Sequence, residues 1–336
     1  MHAWLASFGI DYEFSASLGT LGVQIFFALS GFLITTKMLD SEGRDSGFSL
    51  RDFYLRRVFR ILPASLSFLL IVALLAAIGV LDITPGRWIS TVLFFANYSP
   101  ATPSWYVGHF WSLAVEEHFY MLWPLAFVLL ASTRRRLLAV CALALTVAIW
   151  RAISFKFGIA STPPAVFWGR TDIVGDSIMC GVATSLAYRS AALRPLLTKW
   201  LSNVAATAIL VGAAVCVEAI PVADWKIAFA LLSVKFVLLP LAILSTVVRP
   251  QGVIGRLLEW EILRWIGLIS YSLYLYQQLF LVEGNSTADS LRFVQTAPMN
   301  IALAVAAGYL SYRLIETPMI RVGQSVIRAR ARARAR

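Results

Sequence analysis

Long uncharged runs recur along the whole chain of 336 residues, and they constrain its fold more than any other feature. A helix needs about 20 apolar residues to cross a bilayer. Nine runs of that length carry few charges or none, at residues 18–38, 62–81, 110–131, 137–155, 173–189, 203–220, 227–248, 265–282 and 299–315. A tenth stretch, Trp88–Tyr98, is too short to cross. The sequence therefore predicts an all-α polytopic transmembrane bundle with nine full spans and one short interfacial or re-entrant helix.

The composition leaves no room for a separate soluble domain. Apolar residues make up 59% of the chain and charged residues 14%, whereas soluble domains carry about 25% charged residues. The three cysteines, Cys141, Cys180 and Cys216, lie within apolar runs, which is typical of small buried hydrophobic residues rather than of disulfides or metal ligands. We therefore expect no bound metal and no permanently bound cofactor.

The basic residues indicate how the chain is oriented. With the N-terminus outside, 22 of the 29 Lys and Arg residues fall on the inner side and six on the outer side. Basic loops stay in the cytoplasm, so we expect a multi-pass protein of the plasma (inner) membrane whose C-terminus is cytoplasmic. The net charge of +11 then favours contact with membrane lipids, and no nucleic-acid partner is expected.

The two ends of the chain depart from this regular pattern. Residues 322–336 predict a basic Arg/Ala-rich cytoplasmic tail after a transmembrane domain at residues 1–321, and the alternation of Arg and Ala from Arg328 to Arg336 predicts disorder there. The first 17 residues carry neither Lys nor Arg and no signal peptide. Because nothing there would export them, the sequence predicts that a preceding helix is missing.

Three arginines form a cluster at the start of the second predicted span. Arg56 and Arg60 are four residues apart, and Arg57 and Arg60 are three apart, so a helix places all three on one face. Guanidinium groups bind phosphate oxygens bidentately. The cluster is either a phosphate site or a simple positive-inside anchor.

Adjacent carboxylates lie near the outer end of the third predicted span. Glu116 and Glu117 are preceded by His109 and followed by His118. Polar groups within a membrane are costly and are therefore functional candidates. Successive helical side chains point about 100° apart, so only one glutamate can face the interior of the bundle.

Other charged residues within or beside the spans have simpler interpretations. Arg170 and Asp172 form either a structural ion pair or a substrate contact, and Arg313 with Glu316 predicts a local ion pair. Lys235 lies in mid-span, where a lysine must face a polar cavity, pair with a carboxylate or extend to the interface.

Four motifs, in this order, closely resemble the acyltransferase 3 family of membrane O-acyltransferases. They are Gly22–Thr35, Phe53–Pro63, Trp111–Tyr120 and Ile269–Leu275. The resemblance implies a bundle of helices that takes an acyl group, acetyl in the simplest case, from a coenzyme A thioester on the cytoplasmic side. The acceptor is implied to be a hydroxyl of a cell-envelope glycan, such as lipopolysaccharide, exopolysaccharide, peptidoglycan or a lipid-linked sugar, or a similar exported molecule.

The resemblance also implies roles for individual residues at the outer side. His2 matches the catalytic histidine that ends the family's first helix, as general base or as transient acyl carrier. Glu116 would orient its imidazole, and Arg170 would stabilise the developing oxyanion. The arginine that the family carries before this histidine has no counterpart here, and His118 stands where the family usually has glutamine.

At the inner side, Arg56, Arg57 and Arg60 would hold the phosphates of acyl-CoA. One alternative is a transporter or flippase for a lipid-linked or small polar molecule, although such folds typically show internal repeats and broken helices. A second alternative is an inactive fragment of an acyltransferase.

Overall fold

A computed structural model describes residues 12–44, 47–159, 169–203, 205–218, 220, 224–282 and 292–334. The regular structure of these residues is helical, as predicted. The helices are α1 (Tyr12–Glu42), α2 (Leu50–Ala77), α3 (Pro85–Val92), α4 (Trp105–Gly108), α5 (Phe110–Leu129), α6 (Thr133–Phe157), α7 (Thr171–Arg189), α8 (Arg194–Leu201), α9 (Ala206–Glu218), α10 (Trp225–Val248), α11 (Val253–Leu258), α12 (Glu261–Phe280), α13 (Met299–Ser311) and α14 (Thr317–Arg334). A 3₁₀ turn at Phe293–Gln295 precedes α13, and a π-helical segment at Tyr312–Glu316 joins α13 to α14.

Three helices in the described part of the chain are long and apolar enough to cross a membrane unaided: Gly19–Glu42 within α1, together with α2 and α6. A fourth candidate combines α8 with Ala206–Val217, which meet at an angle of 86°. Several other predicted spans coincide with shorter helices, among them the 13 residues of α13. A bundle of membrane helices is therefore supported, and the count of nine stays a prediction.

The short apolar stretch Trp88–Tyr98 forms no spanning helix, as its length predicts. Its helix, α3, has eight residues and begins with Pro85, which suits a first helical turn because its missing N–H is not needed there. The chain leaves the helix after Val92, well before Tyr98. This element therefore does not cross a membrane.

Helices α1 and α7 touch through their backbones. A Cβ atom on Gly31 would collide with the carbonyl oxygen of Ile178, and one on Gly181 would collide with the carbonyl oxygen of Ala28. Small residues allow membrane helices to approach closely. The two glycines thus fix α1, which carries the Gly22–Thr35 motif, against α7.

A buried ion pair joins α6 to α7. Arg151 has no exposed side-chain surface and binds both carboxylate oxygens of Asp176 at 2.8 and 2.9 Å. The same guanidinium donates to the carbonyl oxygen of Ile173 and to Ser233 of α10. Arg151, counted with the outer loops in the sequence, is therefore an interior residue whose charge is compensated.

The C-terminal segment differs from its prediction, because it is helical as far as Arg334. It packs on α2, where Gly323 lies against Phe59 and Arg330 approaches Asp52 at 3.7 Å. These contacts hold a segment that has little apolar surface of its own. The expectation of disorder is wrong for residues 328–334.

Two further expectations fail, one for an ion pair and one for the burial of the cysteines. Arg313 donates to Tyr309 and Glu316 accepts from Ser272, since the π-helical segment changes the angular spacing on which the predicted Arg313–Glu316 pair depended. The cysteines are free, as predicted, but Cys141 and Cys216 are exposed rather than buried. Their positions face away from the packed side of α6 and α9.

Candidate active site

A cavity of about 670 Å³ lies where the C-terminal end of α1 meets α2 and the chain from α12 to α14. Arg56, Arg57 and Arg60 all line it, so the face predicted from their spacing exists. Its volume falls within the range of about 300–1,000 Å³ that is typical of small-molecule sites.

The charges that line this cavity are unbalanced. Lys37 and Arg44 join the three arginines, and neither was predicted from the sequence as a site residue. Two acids, Asp40 and Glu316, also line the cavity, but Asp40 pairs with Arg189 and Glu316 accepts from Ser272. The cavity therefore presents an excess of positive charge, which suits a polyanionic ligand.

Lys37 comes from the last turns of α1 and Arg44 from the turn just after it, whereas the arginine cluster comes from the start of α2. Their basic character was visible in the tally of inner-side charges. Only the turn between the two helices brings them together, so sequence spacing gave no signal that they belong to one site.

One arginine of the cavity rests on aromatic rings. The guanidinium carbon of Arg57 lies 4.6 Å from the ring centroid of Tyr120 and 5.6 Å from that of Phe53. Such cation–π contacts attract a guanidinium to the ring face without neutralising it. Arg57 is therefore held in place while its charge stays available.

Glu116 is buried in the bundle, as predicted for one of the paired glutamates, and Glu117 is half-buried. Ser30 donates a short hydrogen bond to Glu116 Oε1, and the hydroxyl of Tyr120 donates to the same oxygen at 3.0 Å. Ser30 lies near the middle of α1. Glu116 therefore lies in the packed interior, beside the middle of α1.

Arg170 and Asp172 form a compact charged group at the start of α7. Arg170 binds both carboxylate oxygens of Asp172 at 2.7 and 3.0 Å, and Trp150 and Tyr98 donate to the same carboxylate at 2.7 and 3.0 Å. Burial acts to raise the pKa of Asp172, but the bonds from Arg170, Trp150 and Tyr98 outweigh it and hold the pKa below its ordinary value. The ion-pair interpretation of Arg170 and Asp172 is therefore confirmed.

Of the three predicted catalytic residues, the structure describes Glu116 and Arg170. No hydrogen bond or ion pair joins Arg170 to Glu116, and His2 lies outside the described residues. His109 precedes α5 at a break between helices and is buried against the rings of Phe68 and Tyr274. It therefore does not continue the helical face of Glu116.

Two further polar residues have defined surroundings. His118 bonds through Nδ1 to the Thr171 hydroxyl at 2.8 Å, next to the Arg170–Asp172 pair. Lys235 is 2% exposed and lies 5.8 Å from the ring centroid of Phe236. In the described ranges, no three His, Cys, Asp or Glu side chains are grouped so that they could hold a metal ion.

Comparison with known proteins identifies the family. A family model described as an acyltransferase domain matches residues 1–312. The peptidoglycan O-acetyltransferase OatA of Listeria monocytogenes is 28% identical over 91% of this chain and 52% of its own length. YrhL of Bacillus subtilis, named as a candidate peptidoglycan O-acetyltransferase, is 29% identical over 90% of this chain and 51% of its own length.

The chain thus spans about half the length of these relatives. No solved structure matches it. The match to the family model covers nearly the whole chain and includes all four motifs noted in the sequence. The chain belongs to the acyltransferase family that this domain defines.

Proposed function

We propose that this acyltransferase is a membrane O-acetyltransferase that binds acyl-CoA in the basic cavity and delivers the acetyl group to a hydroxyl of a cell-envelope glycan on the opposite side. The observation that carries the proposal is the cavity with its five basic residues and two engaged acids.

The chemistry of the donor matches this cavity. Coenzyme A carries a diphosphate and a 3′-phosphate, and the fork of a guanidinium binds such oxygens bidentately. Arg56, Arg57 and Arg60 would hold phosphates from one side, with Lys37 of α1 and Arg44 of the following turn also lining the cavity. The thioester arm would then extend from the cavity into the bundle.

The transfer itself needs a base and a carbonyl that is open to attack. The acceptor hydroxyl oxygen forms a bond to the thioester carbonyl carbon, the carbon–sulfur bond breaks, and coenzyme A leaves as its thiol after taking up a proton. His2 is our candidate to accept the proton of the hydroxyl, and Glu116 to orient the imidazole. Arg170 is the candidate for stabilising the oxyanion, through whichever N–H groups Asp172 does not engage.

The nature of the acceptor is supported by the relatives, which are named for O-acetylation of peptidoglycan. The orientation is supported by the charges, since the cavity lies at the basic ends of α1 and α2, which the positive-inside rule assigns to the cytoplasm. Donor and acceptor would therefore meet from opposite sides of the plasma membrane.

The test uses the full chain in vesicles with labelled acetyl-CoA and peptidoglycan fragments as acceptor. Wild-type protein should transfer label to the glycan, and Glu116→Gln or His2→Ala should abolish transfer. Arg328→Ala is the matched control, because this arginine is exposed and outside the cavity. Transport of an unmodified sugar without any acetyl transfer would favour the flippase alternative.

A further inference from the structure

We propose that Tyr120 is a positioning residue that couples the donor cavity to Glu116. The inference rests on the proposed function, because it assumes that the cavity binds acyl-CoA and that Glu116 takes part in the transfer. Tyr120 ends the Trp111–Tyr120 motif, and the sequence predicts no role for it.

Tyr120 contacts both sites with one side chain. Its ring lies under the guanidinium of Arg57, which lines the cavity, and its hydroxyl donates to Glu116 Oε1 at 3.0 Å. The side chain is 5% exposed, so these contacts are sheltered from solvent. Tyr120 and Glu116 are four residues apart on α5 and therefore lie on the same helical face.

The hydrogen bonds fix the orientation of the carboxylate. A glutamate has a broad terminal torsion, and here two donors, Ser30 and Tyr120, hold the same oxygen. In the part of the chain that the structure describes, no group donates to Oε2 of Glu116. That second oxygen is thereby left to bind the imidazole that we propose Glu116 orients.

The contact with Arg57 makes this orientation sensitive to the donor. A cation over the ring face polarises the tyrosine, and in a low dielectric this strengthens the hydrogen bond that its hydroxyl donates. A phosphate bound to Arg57 would hold the guanidinium over the ring and so keep the Tyr120 hydroxyl on Glu116. Donor binding in the cavity would in this way affect the orientation of the Glu116 carboxylate.

Ser30 provides the matched comparison. It donates to the same oxygen from α1 but does not line the cavity. Tyr120→Phe and Ser30→Ala each delete one donor to Glu116, but only the Tyr120 hydroxyl is carried by a ring that contacts Arg57, and phenylalanine keeps that ring. A difference between the two variants therefore isolates the coupling from the simple loss of a hydrogen bond.

The decisive experiment is a double-mutant cycle in labelled acetyl transfer with wild-type protein, Arg57→Gln, Tyr120→Phe and the double variant. We expect Y120F to lower kcat about tenfold, equivalent to about 1.4 kcal/mol, and to leave the KM for acetyl-CoA within about twofold. Because Tyr120 acts with Arg57, its effect on kcat should shrink at least threefold in the R57Q background. The effect of S30A should be equal in both backgrounds.

A second pair of variants keeps the test valid if Y120F lowers the melting temperature. Arg56 and Arg57 line the same cavity, but only Arg57 is seen over the ring of Tyr120. R57Q should raise the KM for acetyl-CoA and also lower kcat at saturating donor, whereas R56Q should raise KM alone.

Additive effects in the cycle, or equal kcat for R56Q and R57Q, would overturn the role of Tyr120 while leaving the proposed function intact. Wild-type protein that binds coenzyme A but transfers no acetyl group would instead overturn the proposed function, and this inference with it.

Discussion

Two sets of charges in this molecule are built in opposite ways. The set between α6 and α7 is compensated: Arg151 binds Asp176, and Arg170 binds Asp172, with further donors on each carboxylate. The set in the basic cavity keeps an excess of positive charge, because five basic residues line it with two acids, of which Asp40 pairs with Arg189. Compensated charges hold helices together, whereas a cluster of like charges destabilises a fold unless a ligand of opposite charge binds it. The difference separates Arg151, which joins two helices, from the arginines that we propose to bind the donor.

The largest effect is expected from breaking the buried pair. Arg151→Leu leaves Asp176 charged and without its guanidinium in the interior, which should cost about 3–5 kcal/mol of unfolding free energy. Melting temperature and yield of monodisperse protein in detergent would measure it. The double variant Arg151→Leu with Asp176→Leu should recover much of the loss, and a double variant as unstable as the single one would contradict the pairing argument.

Removal of charges from the cavity should act on binding instead of folding. The change of Arg57 and Arg60 to Ala together should weaken acyl-CoA binding about 100-fold, because two charge-assisted phosphate contacts are worth about 3 kcal/mol in total. Titration calorimetry in detergent would measure affinity, and the melting temperature should not fall. An unchanged affinity would remove the phosphate role and leave the cluster as a membrane anchor.

Ligand binding should also stabilise the wild-type protein. Coenzyme A at 100 times its dissociation constant should add about 2.7 kcal/mol, visible as a rise in melting temperature. Dephospho-coenzyme A, which lacks the 3′-phosphate, should give a smaller rise at the same concentration. Equal shifts with a neutral sugar of similar size would show that the charge of the cavity is irrelevant.

The smallest effect concerns Asp172, in the first turn of α7 and before the predicted span. Because its pKa is lowered in the folded protein, its ion pair stabilises the fold above the ordinary carboxyl range and is lost as pH falls through the lowered pKa. Asp172→Asn should therefore cost up to about 1 kcal/mol near pH 7. The gap in melting temperature between variant and wild type should close on acidification toward pH 3, and a gap independent of pH would contradict the assignment.

Local spacing decided what the sequence could predict. Arg56, Arg57 and Arg60 were found because their relation needs only one helix, and the burial of one glutamate followed from the helical repeat. Lys37 and Asp176 escaped assignment because their neighbours lie on other helices, and the role of Tyr120 depends on Arg57 of α2. The pairing of Arg151 with Asp176 spans 25 positions, and the tally of basic residues had counted this arginine on the outer side.

The π-helical turn at Tyr312–Glu316 has a consequence for the final helix. A π turn contains one residue more than an α turn, and each residue of an α-helix rotates the chain by about 100°. Deletion of one residue there would restore regular winding and swing α14 round by more than a quarter of a revolution. Gly323 would leave Phe59 and Arg330 would leave Asp52. A single inserted residue thus determines which face of α14 packs on α2.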